Sequence, residues 1–364
     1  MGWLAIVDPG QDGGRKPDLR ELEAAQMQAG GGDALLLCGT LVVEMSIPDS
    51  ARPEPLLLFA QDGDWPLQLG LQSVPGGGIN LVLAQSEALS HATLNATGQG
   101  RTGQLRLTYV WDCRAGRSLV TLEQADTDRV QITEFQTARP WRYQDLRMLL
   151  APGPLRVLSP SVSYLALSDQ AEPVGLVPGF DPDTPVATPQ GYRHIKDLQR
   201  GDLVISEEGN LLPVLHVLHR EVPARGLFRP VRLRAPFFDL QQDIQVAASQ
   251  RLVLRGSEVE YMFGKPAVLV PARHLLGTSV ALPGKEVDRR ASYTQVVLPE
   301  HAPLMVAGAA LESLYLGSLR RDPIRLRASQ LATAERGLLP EHGAPRYPAL
   351  GAFDAAVLAE RRVA

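Results

Sequence analysis

The sequence has too little cysteine, positive charge and continuous hydrophobicity for several large classes of protein. Its two cysteines, Cys38 and Cys113, cannot build a disulfide framework or a zinc site of four cysteines, so we expect two free, partly buried thiols. Lysine and arginine total 36 against 40 aspartate and glutamate, a net charge of −4, which excludes a strongly basic nucleic-acid-binding protein. No apolar run reaches the roughly 18 residues that a membrane-spanning helix needs; the longest runs, such as 34–38 and 56–60, have the length of strands.

Common motifs for nucleotide binding and hydrolysis are also missing. The chain has no GxxxxGKS/T phosphate loop and no GxSxG turn, and no GxGxxG follows a strand. The glycine-rich stretch 74–78 lacks the following helix that phosphate binding needs. The N-terminus has no basic region followed by an apolar region, so we expect no Sec signal peptide. That expectation fits a cytoplasmic protein, or one that is released or bound to a particle by another route.

Length and composition predict two globular domains. The chain has 364 residues, of which 45% are hydrophobic and 21% charged, and a domain typically has about 150 residues. Residues 1–32 form a polar, glycine-rich N-terminal segment. From 33 to 170, short apolar runs alternate with turn residues, and residues 104–111 alternate polar and apolar as a half-buried strand does. This pattern predicts an antiparallel β-sandwich over 33–170.

Part of this region resembles a known group of sandwiches. The runs 105–112 and 116–123, with the turn 112–116 between them, are similar to the late hairpin of laminin-G-like and concanavalin-like jelly rolls. The resemblance implies an adhesion or spacer module, or carbohydrate binding with calcium. Asp62 and Asp64 are candidate oxygen ligands for calcium; the alternative is that they accept backbone hydrogen bonds in a turn.

Aromatic residues of the first region have two interpretations. In the first, they stack on sugar rings and form a glycan platform. In the second, aromatic residues at alternating strand positions belong to the hydrophobic core. The residues concerned include Trp65, Tyr109, Trp111, Trp141 and Tyr143.

The chain changes character after residues 171–178, which have the composition of a linker. Residues 179–317 contain many short β-type runs and tight turns, such as 188–191, and almost no helical periodicity. This pattern predicts a second, all-β domain. Residues 318–364 form a C-terminal extension, in which 352–362 predict a short helix.

Five segments of the second region follow one family pattern. They are an opening strand and turn at 180–191, an Asp-Leu, Gly-Asp and Val motif at 195–204, a strand at 230–234, a long run at 263–276 and an ending with Gly, Glu and Ser at 307–313. Together they resemble the Hint module, the fold shared by inteins and the autoprocessing part of Hedgehog proteins, and most of all its bacterial group. The resemblance implies a Hint fold for residues 179–317.

An active Hint module shifts its own backbone acyl group onto a side chain, and the resemblance implies which positions take part. The family's first residue is a cysteine that attacks the preceding carbonyl; here that position is Gly179, which has no nucleophile. The family's Thr/Ser-x-x-His element protonates the leaving amide nitrogen, and its two positions fall on Ala247 and Gln250. A further family histidine falls on Gln295. These departures predict a degenerate, inactive Hint domain.

Some reactive residues are retained. Thr184 is a hydroxyl close in sequence to Gly179, and His274 and His301 match family positions. The alternative is therefore an atypical autoprocessing protein that cleaves its own backbone near residue 179, with Thr184 as nucleophile. Against it, Thr184 occupies a position that the family itself uses structurally.

We therefore expect a mainly β protein, a jelly-roll-like sandwich followed by a degenerate Hint domain, with no enzymatic activity, no cofactor and no further metal site. The Hint fold would be a scaffold, and the sandwich an adhesion or carbohydrate-binding surface. The expected partners are other protein subunits and a surface glycan, with no nucleic acid and no membrane insertion, and an oligomer is compatible with the sequence. The combination of modules favours a surface appendage or a phage-like particle, as a spike or its base.

Overall fold

The computed structural model of the chain describes residues 2–10, 17–46, 52–95, 103–125, 130–175, 178–285, 287 and 289–362. The chain divides into two compact units, Met1–Gly175 and Leu176–Ala364. The division falls within the expected linker 171–178, of which 176 and 177 lie outside the described residues. Within the described ranges, no helix is long and apolar enough to cross a membrane.

The first unit is built mainly from antiparallel strands. Its strands and helices are, in chain order, β1 (Trp3–Val7), α1 (Arg20–Gln28), β2 (Leu35–Leu36), β3 (Cys38–Ser46), β4 (Glu54–Gln61), β5 (Leu67–Val74), β6 (Gly78–Gln85), β7 (Ala88–Asn95), β8 (Gln104–Asp112), β9 (Arg117–Gln124), β10 (Val130–Phe135), β11 (Trp141–Arg142), α2 (Tyr143–Leu150), β12 (Arg156–Leu158) and β13 (Val162–Ser168).

Two sheets of the first unit enclose one hydrophobic core. A six-stranded sheet has the order β1-β13-β3-β8-β9-β10, and a five-stranded sheet has the order β12-β4-β5-β6-β7. Alternate side chains of both sheets, such as Leu69 on β5 and Leu107 on β8, are buried in this core. The alternation in the sequence therefore predicted the layered arrangement correctly, and the antiparallel sandwich is confirmed.

Three aromatic residues of this unit pack against one another in the core. The ring centroids of Tyr109, Trp111 and Trp141 lie between 5.6 and 6.3 Å apart, and Trp111 Nε1 donates to the Leu36 carbonyl over 3.1 Å. All three side chains are buried, and so is Tyr143. Because a buried ring presents no face to a ligand, the glycan-platform interpretation is wrong for these four residues.

The N-terminal segment 1–32 contributes to the sandwich. Strand β1 pairs with β13 at the edge of the six-stranded sheet, and all of its side chains are buried. Helix α1 buries Leu22 and Ala25 in the same core. The overall composition of the segment is polar and glycine-rich and hides this role, although Trp3–Val7 is a continuous apolar run.

The second unit is also mainly β. Its strands and helices are, in chain order, β14 (Pro185–Thr188), β15 (Gly191–His194), β16 (Leu203–Ile205), β17 (Leu211–Pro213), β18 (His216–Pro223), β19 (Pro230–Leu233), β20 (Ile244–Ala247), β21 (Arg251–Arg255), α3 (Ser257–Phe263), β22 (Ala267–Pro271), β23 (Ala281–Pro283), β24 (Arg290–Val297), β25 (Pro303–Val306), β26 (Ala309–Glu312), α4 (Pro323–Ala328) and α5 (Ala352–Arg361).

Its strands form several small sheets around a second core. The largest sheet has the order β15-β14-β25-β26-β21-β22, a three-stranded sheet has the order β20-β19-β23, and β18 pairs with β24 along its whole length. Short strands from all three meet in the core, where Val231, Val268 and Val296 are fully buried. The all-β architecture predicted for this region is confirmed.

The C-terminal extension packs onto the second unit. Leu269, on the edge strand β22, donates to the Pro348 carbonyl and accepts from the Leu350 N–H, both over 2.8 Å. Helix α5 lies where the sequence predicted a helix and buries Ala355 and Leu358 in the second core. The extension thus completes the core of the unit.

Candidate functional site

Gly179 lies between strands β20 and β24 and is fixed through its backbone. Phe180 N–H donates to the Thr294 carbonyl over 2.9 Å, and Thr294 N–H donates back to Phe180 over 2.8 Å. On the other side, Ala247 N–H donates to the Gly179 carbonyl over 2.8 Å. The Phe180 ring is fully buried in the core and anchors the segment. The position expected for the nucleophile is therefore well defined.

Gly179 has no room for a side chain. A Cβ added to it would lie 2.8 Å from Cβ of Tyr293, closer than two such atoms approach each other. Tyr293 is itself held in place, because its hydroxyl donates to the Phe228 carbonyl over 2.8 Å. Burial raises the pKa of Tyr293, so the phenol stays protonated. The site therefore lacks the nucleophile and is also shaped around glycine.

Gln250 and Gln295 form a buried amide pair. Gln250 Nε2 donates to the Glu312 carbonyl over 2.8 Å, and its Oε1 accepts from Gln295 Nε2 over 3.1 Å. Gln295 Oε1 in turn accepts from Val296 N–H over 2.9 Å. A primary amide neither releases nor takes up a proton near neutral pH. The two positions where the family has histidines are thus joined in space and are filled by groups that cannot act as general acids.

A buried charged cluster adjoins this pair. The Glu312 carboxylate lies 3.1 Å from His301 Nε2 and 3.4 Å from Arg251 Nη1. Since Glu312 also binds Gln250 through its backbone oxygen, it links the amide pair to the retained histidine. The His301 and Glu312 side chains are 8% and 3% exposed, so little solvent reaches the contact between them.

The extension adds a second histidine that the sequence analysis had not identified. His342 Nδ1 accepts from Leu316 N–H over 3.1 Å, so Nε2 bears the proton and donates to the Leu298 carbonyl over 3.1 Å. The His342 ring stacks on His301 with 5.8 Å between centroids. Burial lowers the pKa of His342, and the neighbouring His301 lowers it further. The hydrogen bond to Leu298 raises the pKa, but the two lowering effects are larger. No motif surrounds His342, so no sequence signal marked it.

Thr184 and His274 have structural contacts of their own. Thr184 is buried where a turn leads into β14; its N–H donates to the Asp181 carbonyl, and its carbonyl accepts from Ile195 N–H, both over 2.9 Å. His274 lies on the 3₁₀ turn Ala272–Leu275, with Nδ1 3.2 Å from the Leu350 carbonyl, and so faces the C-terminal extension. Of the three retained residues, His301 is the one that the structure joins to the amide pair.

A small cavity lies beside the amide pair. It is lined by Gln295, by Pro178, which directly precedes Gly179, and by apolar groups that include the Phe228 ring. Its titratable lining residues are Arg220 and Tyr293, and neither side chain type exchanges protons near neutral pH. The cavity therefore offers space next to the expected scissile bond without an acid or base to act on it.

The calcium candidates of the first unit lie in an exposed turn. Asp62 and Asp64 follow strand β4 and are both exposed. In the ranges that the structure describes, no group of three or more His, Cys, Asp or Glu residues is placed to hold a metal ion. Cys38 and Cys113 are free thiols, and burial raises the pKa of both.

Comparison with known proteins places the second unit in a family. Residues 178–318 match the Hint domain. Among solved structures, the gp41-1 intein is 19% identical over 38% of this chain and 99% of its own, with a TM-score of 0.24. The MchDnaB-1 intein is 13% identical over 37% of this chain and 100% of its own, with a TM-score of 0.24. The Ruminococcus gnavus IT-sialidase CBM40 bound to alpha2,3 sialyllactose is 15% identical over 47% of this chain and 88% of its own, with a TM-score of 0.29. No curated protein matches the chain. This chain therefore contains a Hint domain, which spans residues 178–318.

Proposed function

We propose that this chain is a non-enzymatic structural or binding protein, in which the Hint domain is a scaffold without acyl-shift activity. The observation that carries the proposal is the contact between Gly179 and Tyr293, because a side chain at position 179 would collide with the Tyr293 Cβ atom. An acyl shift requires a thiol or hydroxyl at that position.

The amide pair supports the same conclusion at a second step. Resolution of an acyl shift needs a group that protonates the leaving nitrogen. Gln250 and Gln295 bind each other and the Glu312 carbonyl, so their polar atoms are already used. Loss of the nucleophile and of the general acid together leaves the fold without the reaction.

The sandwich supplies the binding surface in this proposal. Such a chain would join an adhesion or carbohydrate-binding module to a rigid scaffold, with other protein subunits as partners. It stays a prediction that the protein is part of a surface appendage or a phage-like particle, as a spike or its base. The sandwich has an extended exposed sheet face on which a ligand has room to lie.

Intact-mass measurement tests the proposal. Purified full-length chain is incubated at neutral pH with and without dithiothreitol, a thiol that releases a thioester. We expect one species of 39.5 kDa in both samples. Cleavage beside residue 179 would overturn the proposal; it would give fragments of about 19 and 20 kDa, in proportion to 178 and 186 of the 364 residues.

The atypical autoprocessing alternative predicts those fragments. If they appear, Thr184→Ala, His274→Ala and His301→Ala identify the residue responsible, because each removes one retained reactive group. In that case Thr184→Ala would restore the intact mass if its hydroxyl were the nucleophile.

A further inference from the structure

The outer face of the five-stranded sheet in the sandwich is exposed and uncharged. It consists of the positions on β4 to β7 and β12 that alternate with the core residues. Leu58 and Val82 on this face are 38% and 39% exposed. No Asp, Glu, Lys or Arg occupies any of these positions, although 21% of the chain is charged. A solvated sheet face normally carries such residues, so their absence here calls for an explanation.

Gly70, in the middle of this face, has no side chain and leaves a gap between its neighbours, which we call the depression. Leu58, Gly70 and Val82 are register partners on three neighbouring strands. An added Cβ at Gly70 would lie 3.7 Å from Leu58 Cδ2 and 4.0 Å from the Val82 carbonyl, which are ordinary contacts. Neither crowding nor a left-handed backbone therefore requires glycine at this position. Glycine inside a strand often marks a bulge, a bend, or a place where a ligand or another backbone approaches closely, and the last of these fits an exposed face.

Neutral amides lie on both sides of the depression. Gln68 and Gln72 are on the same strand and the same face as Gly70, and about 14 Å separate them at about 3.4 Å per residue. Asn80 is the register partner of Gln72. Its Oδ1 accepts from Thr93 Oγ1 over 2.6 Å and lies 3.2 Å from His91 Nε2, which orients the amide and leaves its Nδ2 for another acceptor.

The chemistry of this face selects one class of ligand. Amides donate and accept hydrogen bonds at once and so match hydroxyl groups, while Leu58 and Val82 pack against C–H surfaces. A polyanion needs lysine or arginine, and tight protein partners engage Trp, Tyr or Arg; the face has none of these. We propose that the depression over Gly70 binds an uncharged oligosaccharide. This proposal rests on the binding role proposed above for the sandwich.

The test uses the full-length chain and affinity electrophoresis. Native gels contain laminarin, yeast mannan or xylan as uncharged probes, and polygalacturonate as a charged one. We expect retardation by at least one uncharged probe and none by polygalacturonate. Gly70→Leu, which fills the depression, and Val82→Glu, which adds a charge, are each expected to weaken binding at least tenfold. Glu87→Gln, in the exposed turn between β6 and β7, is the control and is expected to bind like the parent chain.

Three results would overturn the proposal. They are binding of none of the uncharged probes, equal binding by the parent chain and both variants, and a dimer in light scattering that Val82→Glu converts to a monomer. The last result would make this face an interface between copies of the chain. Unfolding followed by tryptophan fluorescence confirms that each variant is folded. None of these variants touches Gly179, so a failure here leaves the intact-mass test of the scaffold proposal independent.

Discussion

Gln295 donates a hydrogen bond from Nε2 to Oε1 of Gln250 over 3.1 Å, in the fully buried centre of the Hint domain. The two side chains satisfy each other where the family's reaction needs histidines. Burial of a polar group is tolerated when it is hydrogen-bonded, and here this is achieved without any titratable group. The amide pair therefore shows how these two buried polar positions are satisfied by hydrogen bonds without a histidine.

Gln250→Ala is expected to destabilise the second unit. The change leaves Gln295 Nε2 and the Glu312 carbonyl without their partner inside the core, at a cost of about 1–3 kcal/mol in the free energy of unfolding. Urea unfolding followed by far-UV circular dichroism measures the loss. Because all four tryptophans lie in the first unit, tryptophan fluorescence follows that unit separately and should not change.

Gln190→Ala is the matched control for this substitution. Gln190 is exposed in the turn between β14 and β15, and surface changes of this kind alter stability by less than about 0.5 kcal/mol. An equally small effect of Gln250→Ala would show that the amide pair does not stabilise the domain.

Gly179→Cys is expected to destabilise the second unit without restoring activity. The new Cβ meets the Tyr293 Cβ atom, and overpacking of this kind costs about 1–3 kcal/mol. The intact mass should stay at one species in dithiothreitol, because Gln250 still cannot protonate a leaving group. Gly337→Cys is the control, since a Cβ at Gly337 has no neighbour within 4 Å. Fragments from Gly179→Cys alone would mean that a thiol suffices and that the amide pair does not block the reaction.

The sequence predicted those features that depend on local patterns. Alternating polarity and turn residues were enough for the two β units, and contiguous motifs were enough for the Hint region. The crowding of Gly179 by Tyr293 depends on how β24 packs against a segment distant in sequence, which no local pattern encodes. The contact between His301 and His342 was hidden for the same reason.

The aromatic residues show a different limit. Tyr109 and Trp111 alternate along β8 in the way expected both for core residues and for a ligand-binding platform on one face. Which face of a strand is covered follows from the second sheet, and only the fold shows that Trp141 packs against them in the core. In the same way, the uncharged sheet face became visible only when the register aligned Leu58, Gly70 and Val82.

Glu123→Gln is expected to be among the costlier single changes in the sandwich. Arg106 Nε and Glu123 Oε2 are 2.7 Å apart, and both side chains are 1% exposed. Removing one charge of a buried pair costs up to about 3–5 kcal/mol, and Glu44, which also acts on Arg106, offsets part of that loss. Tryptophan fluorescence during urea unfolding measures this loss of unfolding free energy. Glu87→Gln, the same substitution at an exposed turn, is the control and should leave the transition unchanged. A cost near that of the control would mean that the pair contributes little to the sandwich.

His342 is expected to make the second unit less stable in mild acid. Burial lowers its pKa from the ordinary 6.5, because the folded ring stays neutral while Nδ1 accepts from Leu316 N–H. Above pH 6.5 the ring is neutral in both states and adds no pH dependence. Below it the unfolded chain takes up the proton first, so the free energy of unfolding falls as the pH falls toward the folded pKa.

His342→Gln removes this titration. Between pH 6.5 and about 5, it should reduce the slope of the unfolding free energy against pH by up to the contribution of about one bound proton. The measurement is urea unfolding by circular dichroism across that range, with the tryptophan transition as the internal reference. His216→Gln is the matched variant, since burial and Arg200 lower the pKa of His216 as well, and its contribution has the same sign. Identical pH dependence in the parent chain and in His342→Gln would contradict a lowered pKa of His342 in the folded state. A flatter dependence would show that protonation of His342 accounts for part of the loss of stability in mild acid.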